Sequence, residues 1–96
     1  MALHISADLL FEESLAHRAG RRTFGARLDH CLKRNNISSS QAAKRVGVAV
    51  EEVTYWRAGI TAPTRSGCWR LSRLLGVDVF WLCLGIEAEG PDTRVL

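Results

Sequence analysis

The chain has 96 residues, with 13 Lys or Arg against 10 Asp or Glu for a formal net charge of +3; 47% of it is hydrophobic and 24% charged. That length supports one compact domain with a modest core and is too short for two, and the composition excludes a disordered tail. No apolar run reaches membrane-spanning length, and the small positive excess suits a polyanionic partner without requiring one.

The first predicted element starts at Ser6, a candidate N-cap, and places Leu9, Leu10, Phe11, Leu15 and Ala16 on a short amphipathic helix that ends near Gly20. Asp8, Glu12 and Glu13 interrupt this early apolar segment, so it does not read as a secretory leader, and a cytoplasmic location is expected. Arg18, Arg21 and Arg22 cluster around Gly20. They form either a basic arm that follows phosphates or the minor groove, or a solvated helix end.

From Thr23 to Asn35 the apolar residues Phe24, Leu28, Cys31 and Leu32 fall at i, i+4, i+7 and i+8, which predicts a helix with one buried stripe. Asn36 is expected to take a left-handed conformation, and Ile37 to pack inward. Ser38 then caps a helix over Ser39 to Val46, whose inner face carries Ala43 and Val46. Gly47 ends that helix at least steric cost, and Val48 turns back onto the apolar face. A further helix from Val50 to Ala58 puts Val53 and Trp56 inside and Glu51, Thr54, Tyr55 and Ala58 largely outside, and Gly59 stops it. This is the pattern of a helix-turn-helix, the unit that lays a helix in the major groove of DNA, although the spacing alone fits a purely structural helical hairpin equally well.

After Gly59 the segment ITAPT is a loop whose Pro63 sets up the next helix, where Cys68, Leu71, Leu74 and Leu75 recur at helical spacing up to Gly76. Asp78 caps a last short helix of Val79, Phe80, Trp81, Leu82 and Leu84, apolar nearly all round, before Gly85 and the polar tail EAEGPDTRVL. A helix apolar on every side needs a partner for its second face. Phe80, Trp81 and Leu84 are therefore a candidate dimer surface, against the plainer reading that Trp81 closes the core. The N-terminal helix with Leu9, Leu10, Phe11 and Leu15 is an alternative interface, for a second copy or for a different protein.

The three cysteines, Cys31, Cys68 and Cys83, are odd in number and widely spaced, which points to small core residues and away from a disulfide framework or a metal site. His4, His17 and His30 are scattered, Ser66 has no evident base, and there is no phosphate-binding loop or paired carboxylate site. Neither an enzyme nor a bound cofactor is expected.

The order of these signals resembles the lambda-repressor-like, Cro and XRE class of DNA-binding domains. The resemblance covers Phe24 to Gly85 and rests on Arg27-Leu28, Ala42-Ala43, Gly47-Val48, Val53, Trp56, Gly59, Pro63, Leu71, the run Leu74 to Val77, and Trp81-Leu82. It implies an all-α fold, a compact five-helix domain over residues 23–85, here with an extra N-terminal helix and basic arm over 1–22 and a polar tail over 86–96. It implies further a transcriptional regulator, a repressor acting as a homodimer on a palindromic double-stranded operator. The rival reading is a protein-interaction or antitoxin-type module whose N-terminal helix binds a partner protein.

The resemblance places base reading on Val50, Glu51, Thr54 and Tyr55, a set without the usual bidentate arginine, glutamine or asparagine. Glu51 and Glu52 also complement the helix dipole, and for Glu52 that role is the expected one. Phosphate contacts are expected from Ser38, Ser39 and Arg65, together with Arg18, Arg21 and Arg22. Several positions depart from the family, Ser39 among them, where a phosphate-contacting glutamine is common. Leu32 stands where an arginine is common and Arg57 where a glutamate is common, so a familiar buried ion pair is gone. Arg57 is expected to find its outlet in solvent or on a phosphate.

Overall fold

In the computed structural model, which describes residues 7–86, the chain is a run of helices: α1 (Ala7–Ala16), α2 (Arg18–Arg34), α3 (Ser39–Val46), α4 (Val50–Arg57), α5 (Arg65–Leu75) and a short π-helical segment, π1 (Phe80–Leu84). The described residues contain no strand, so the all-α expectation holds, with α2 to π1 as the five-helix domain and α1 as the added element. The candidate cap Ser6 and the tail beyond Ile86 lie outside the described residues. Among the described residues no helix is long and apolar enough to cross a membrane.

Helix α2 is the axis. Its predicted stripe, Phe24, Leu28, Cys31 and Leu32, is buried throughout. Onto that stripe pack Ala42, Ala43 and Val46 from α3, Val53 and Trp56 from α4, Cys68, Leu71 and Leu75 from α5, and Val79, Leu82 and Cys83 from the C-terminal end, in one core. All three cysteines are buried in it as small apolar residues, and burial pushes the Cys31 thiol above its ordinary value.

The expected start of α2 at Thr23 is corrected to Arg18, so Arg18, Arg21 and Arg22 belong to the first turns of a helix and not to an arm. The sequence suggests a stop at Gly20, but the glycine serves packing instead. A Cβ there would lie 1.9 Å from the Ser14 carbonyl oxygen, so only glycine lets α2 pass so close to α1. The same requirement recurs at Gly25, where a Cβ would come within 2.5 Å of the Trp56 carbonyl oxygen and 2.9 Å of that of Arg57. Thus α4 rests directly on the backbone of α2.

The remaining boundaries follow local chemistry. Asn36 is left-handed at φ 57°, and the Ile37 amide donates to the Leu32 carbonyl. Thr64 caps α5 by accepting from the Gly67 amide at 3.2 Å, directly after the buried Pro63. Asp78 Oδ1 accepts from the Phe80 and Trp81 amides at 2.7 and 3.3 Å, starting π1, and Gly85 closes it at φ 74°. Arg27 crosses from α2 to donate its Nε–H to the Leu82 carbonyl at 2.8 Å.

Part of the second face of π1 is covered from within the chain. Phe11 and Leu15 of α1 are buried in the core, and the Phe11 ring lies 6.0 Å from that of Phe80. Arg21 secures the corner by donating from Nη1 to the Leu15 and Ala16 carbonyls that end α1, at 3.2 and 2.6 Å.

Candidate nucleic-acid interface

The hairpin of α3 and α4 begins with a reciprocal cap. Ser38 Oγ accepts from the Gln41 amide at 3.1 Å, and Gln41 Oε1 accepts from the Ser38 amide at 2.8 Å. Two orphan donors are thereby satisfied within one turn, which makes the start of α3 sharp. At its other end Gly47 adopts φ 86°, and both the Gly47 and Val48 amides donate to the Ala43 carbonyl, at 2.8 and 3.0 Å. Arg70 reaches over from α5 to give the Val46 carbonyl a further donor at 3.0 Å. Only Val48 and Ala49 then separate the left-handed glycine from α4.

Helix α4 has two distinct sides. Val53 and Trp56 are buried, while Val50, Glu51, Thr54 and Tyr55 all reach the surface, Tyr55 at 47% exposure. The four expected base readers therefore share one open face. Glu51 and Glu52 lie in the first turn, where their charge complements the helix dipole, and Ala49 supplies no side-chain cap. Thr54 Oγ–H donates back to the Val50 carbonyl at 3.2 Å, leaving lone pairs on its oxygen toward solvent.

The expected outlet for Arg57 is corrected. Its side chain, 20% exposed, is held by two partners: Nε and Nη2 donate to Asp29 Oδ1 at 2.9 and 2.6 Å, and Nη1 donates to Ser39 Oγ at 3.0 Å. The departure at Leu32 and Arg57 is thus compensated by an ion pair of the opposite polarity, with the acid on α2 and the base on α4. Lys33 Nζ lies 3.0 Å from Asp29 Oδ2. Together the Arg57 and Lys33 bonds hold the Asp29 carboxyl below its ordinary value. Asp29 escaped the sequence reading because it is exposed-looking on a helical wheel, and no spacing rule links it to a residue 28 positions later.

The other expected contacts separate into groups. Ser38 and Ser39 sit at the start of α3, with the Ser38 oxygen used as a cap and that of Ser39 as the acceptor for Arg57. Arg65 opens α5 at the surface. Arg18 and Arg22 are exposed on α2, and the Arg22 backbone abuts Gly59 at the exit of α4, where a Cβ would lie 2.9 Å from Arg22 Cα. Arg21, expected on a phosphate, is instead half-buried against α1. Of Phe80, Trp81 and Leu84, expected as a dimer face, Phe80 and Leu84 lie on the side of α1, whereas Trp81 lies beside His30 and Arg34 of α2. Trp81 and Leu84 are half-buried against the core, and Phe80, 37% exposed, sits between Phe11, tilted against it, and Trp69, which meets it edge-on. Leu9, Leu10, Trp69, Phe80 and Ile86 stay exposed around this corner, Leu10 beside Ile86 and Trp69 against Phe80, as an apolar edge that α1 leaves open.

Compared with known proteins, residues 30–82 match the helix-turn-helix family, a span that contains α3, α4, α5 and most of π1. The chain is also 31% identical over 71 residues to a Haemophilus influenzae protein described as an uncharacterized HTH-type transcriptional regulator. The match takes in 74% of this chain and 29% of that relative, so the chain spans less than a third of its length. No solved structure matches significantly.

Proposed function

The chain belongs to the lambda-repressor-like helix-turn-helix family, and from that premise we propose that it is a sequence-specific double-stranded DNA-binding transcriptional regulator, a repressor that acts as a homodimer on a palindromic operator. The observation that carries this reading is the exposed face of α4, with Val50, Glu51, Thr54 and Tyr55 together on a helix whose other side is locked to the core through Val53 and Trp56. Burial of the inner side keeps these four side chains facing outward together, which base readout requires.

Within the proposal, Tyr55 and Glu51 discriminate bases, with Glu51 accepting from a cytosine amino group, while Val50 meets a thymine methyl and Thr54 offers its oxygen lone pairs. Ser38, Ser39, Arg65, Arg18 and Arg22 meet phosphates and set register. Leu9, Leu10 and Phe80, apolar and exposed, favour pairing with a second copy through the edge that α1 leaves open. The protein acts in the cytoplasm as a binding module and not as an enzyme.

Selection of bound fragments from random DNA, followed by titration at several salt concentrations, tests the reading. Affinity is expected to fall steeply with salt and to favour fragments with two half-sites about one helical turn apart. Tyr55→Ala is expected to weaken the selected sequence by about 1–3 kcal/mol while leaving random DNA nearly unchanged. Absence of salt-dependent binding would overturn the assignment in favour of a protein-interaction module.

A further inference from the structure

The helix-turn-helix is a V closed at one end by its turn, where the C-terminus of α3 meets the N-terminus of α4 through Gly47, Val48 and Ala49. At the open end stand the first residue of α3, Ser39, and the last of α4, Arg57, and a 3.0 Å hydrogen bond joins them. The same guanidinium gives its remaining inward N–H groups to Asp29 of α2 at 2.9 and 2.6 Å. A guanidinium is planar and its donors diverge in fixed directions, so holding its Nε–Nη2 edge on Asp29 and its Nη1 on Ser39 fixes its plane and the separation of those two partners. Asp29 is itself held from the far side by Lys33 at 3.0 Å.

We propose that Asp29 is a positioning residue for DNA reading: through Arg57 it clamps the open end of the α3–α4 hairpin to α2 and fixes the angle at which α4 is presented. The proposal rests on the DNA-binding reading above and adds a residue outside both the reading face and the hydrophobic core. Without the carboxylate, Arg57 keeps only the Ser39 bond. The directional bonds that remain then lie mainly at the turn, and the far end of α4 is left to apolar packing and the Ser39 bond. Sequence discrimination is affected more than general affinity, because phosphate attraction tolerates small tilts and directional hydrogen bonds to base edges do not.

The test uses the full chain with Asp29→Asn and the conservative Asp29→Glu. In NMR spectra of the free protein, Asp29→Asn is expected to shift the Ser39 to Gln41 amides and speed solvent exchange of the Arg57 Nε–H, with Asp29→Glu close to the parent. Unchanged signals would overturn the clamp. In binding assays the ratio of affinities for a selected fragment over random DNA is expected to drop about tenfold in Asp29→Asn, the loss of a charge-assisted hydrogen bond's worth of order. Asp29→Glu restores that ratio. If the parent chain discriminates and Asp29→Asn discriminates equally well, positioning by Asp29 is refuted and the DNA reading stands. A parent chain that binds no DNA refutes both.

Discussion

The α3–α4 hairpin and the corner formed by α1 and π1 are held by opposite means. The hairpin adds to its apolar packing a set of polar bonds of defined direction: the Ser38–Gln41 box, the two amides on the Ala43 carbonyl, the Arg70 bond to Val46, and the Arg57 clamp. The corner has the Arg21 bonds at its hinge, but what joins α1 to π1 is burial of Phe11 and Leu15 against a five-residue helical turn. Directional bonds set an angle; apolar burial sets stability and leaves angles softer. The molecule thus keeps its precise geometry where α4 must be aimed, and its adaptable packing where α1 covers a hydrophobic end.

Three substitutions break or sharpen that contrast. The largest effect is expected from Phe11→Ala, which empties a buried aromatic site and should cost about 3–5 kcal/mol in denaturant unfolding. The folded fraction should still discriminate DNA sequences normally, and impaired discrimination there would erase the distinction between the two regions. Gly25→Ala comes next, at about 1–3 kcal/mol, because the new methyl is forced against the Trp56 carbonyl oxygen. Unlike Phe11→Ala it should also tilt α4, read as a lower ratio of selected to random DNA affinity; an unchanged ratio would mean that α4 adjusts freely. The smallest is Ser38→Ala, about 1 kcal/mol by thermal unfolding, with faster hydrogen exchange at the Gln41 amide and no change at α1.

This division also explains how much was legible beforehand. The hairpin could be read because its signals are local: a capping serine before α3, a glycine after the last apolar position, and Val53 and Trp56 at helical spacing. The boundaries of α3 and α4 came out within a residue of the structure. At the corner the same rules misled. Gly20 resembles a helix stop, yet it lies inside α2, and three arginines that read as an arm or a helix end occupy the helix's first turns. The exposed-looking face of π1 suggested a second chain, whereas much of it is covered by the chain's own N-terminal helix.

The candidate reading face was visible in the sequence through periodicity and resemblance, but its support was not. Asp29, Arg70 and Gly25 all act through partners more than 20 residues away, and nothing in their own neighbourhoods marks them. Local sequence determined the helices, their caps and which side of each is apolar, because propensity, capping and the helical period operate over a few residues. Only the tertiary structure decided where Arg57 puts its charge, what covers π1, and how closely α4 lies on α2. Those outcomes depend on which distant groups meet once the core has closed.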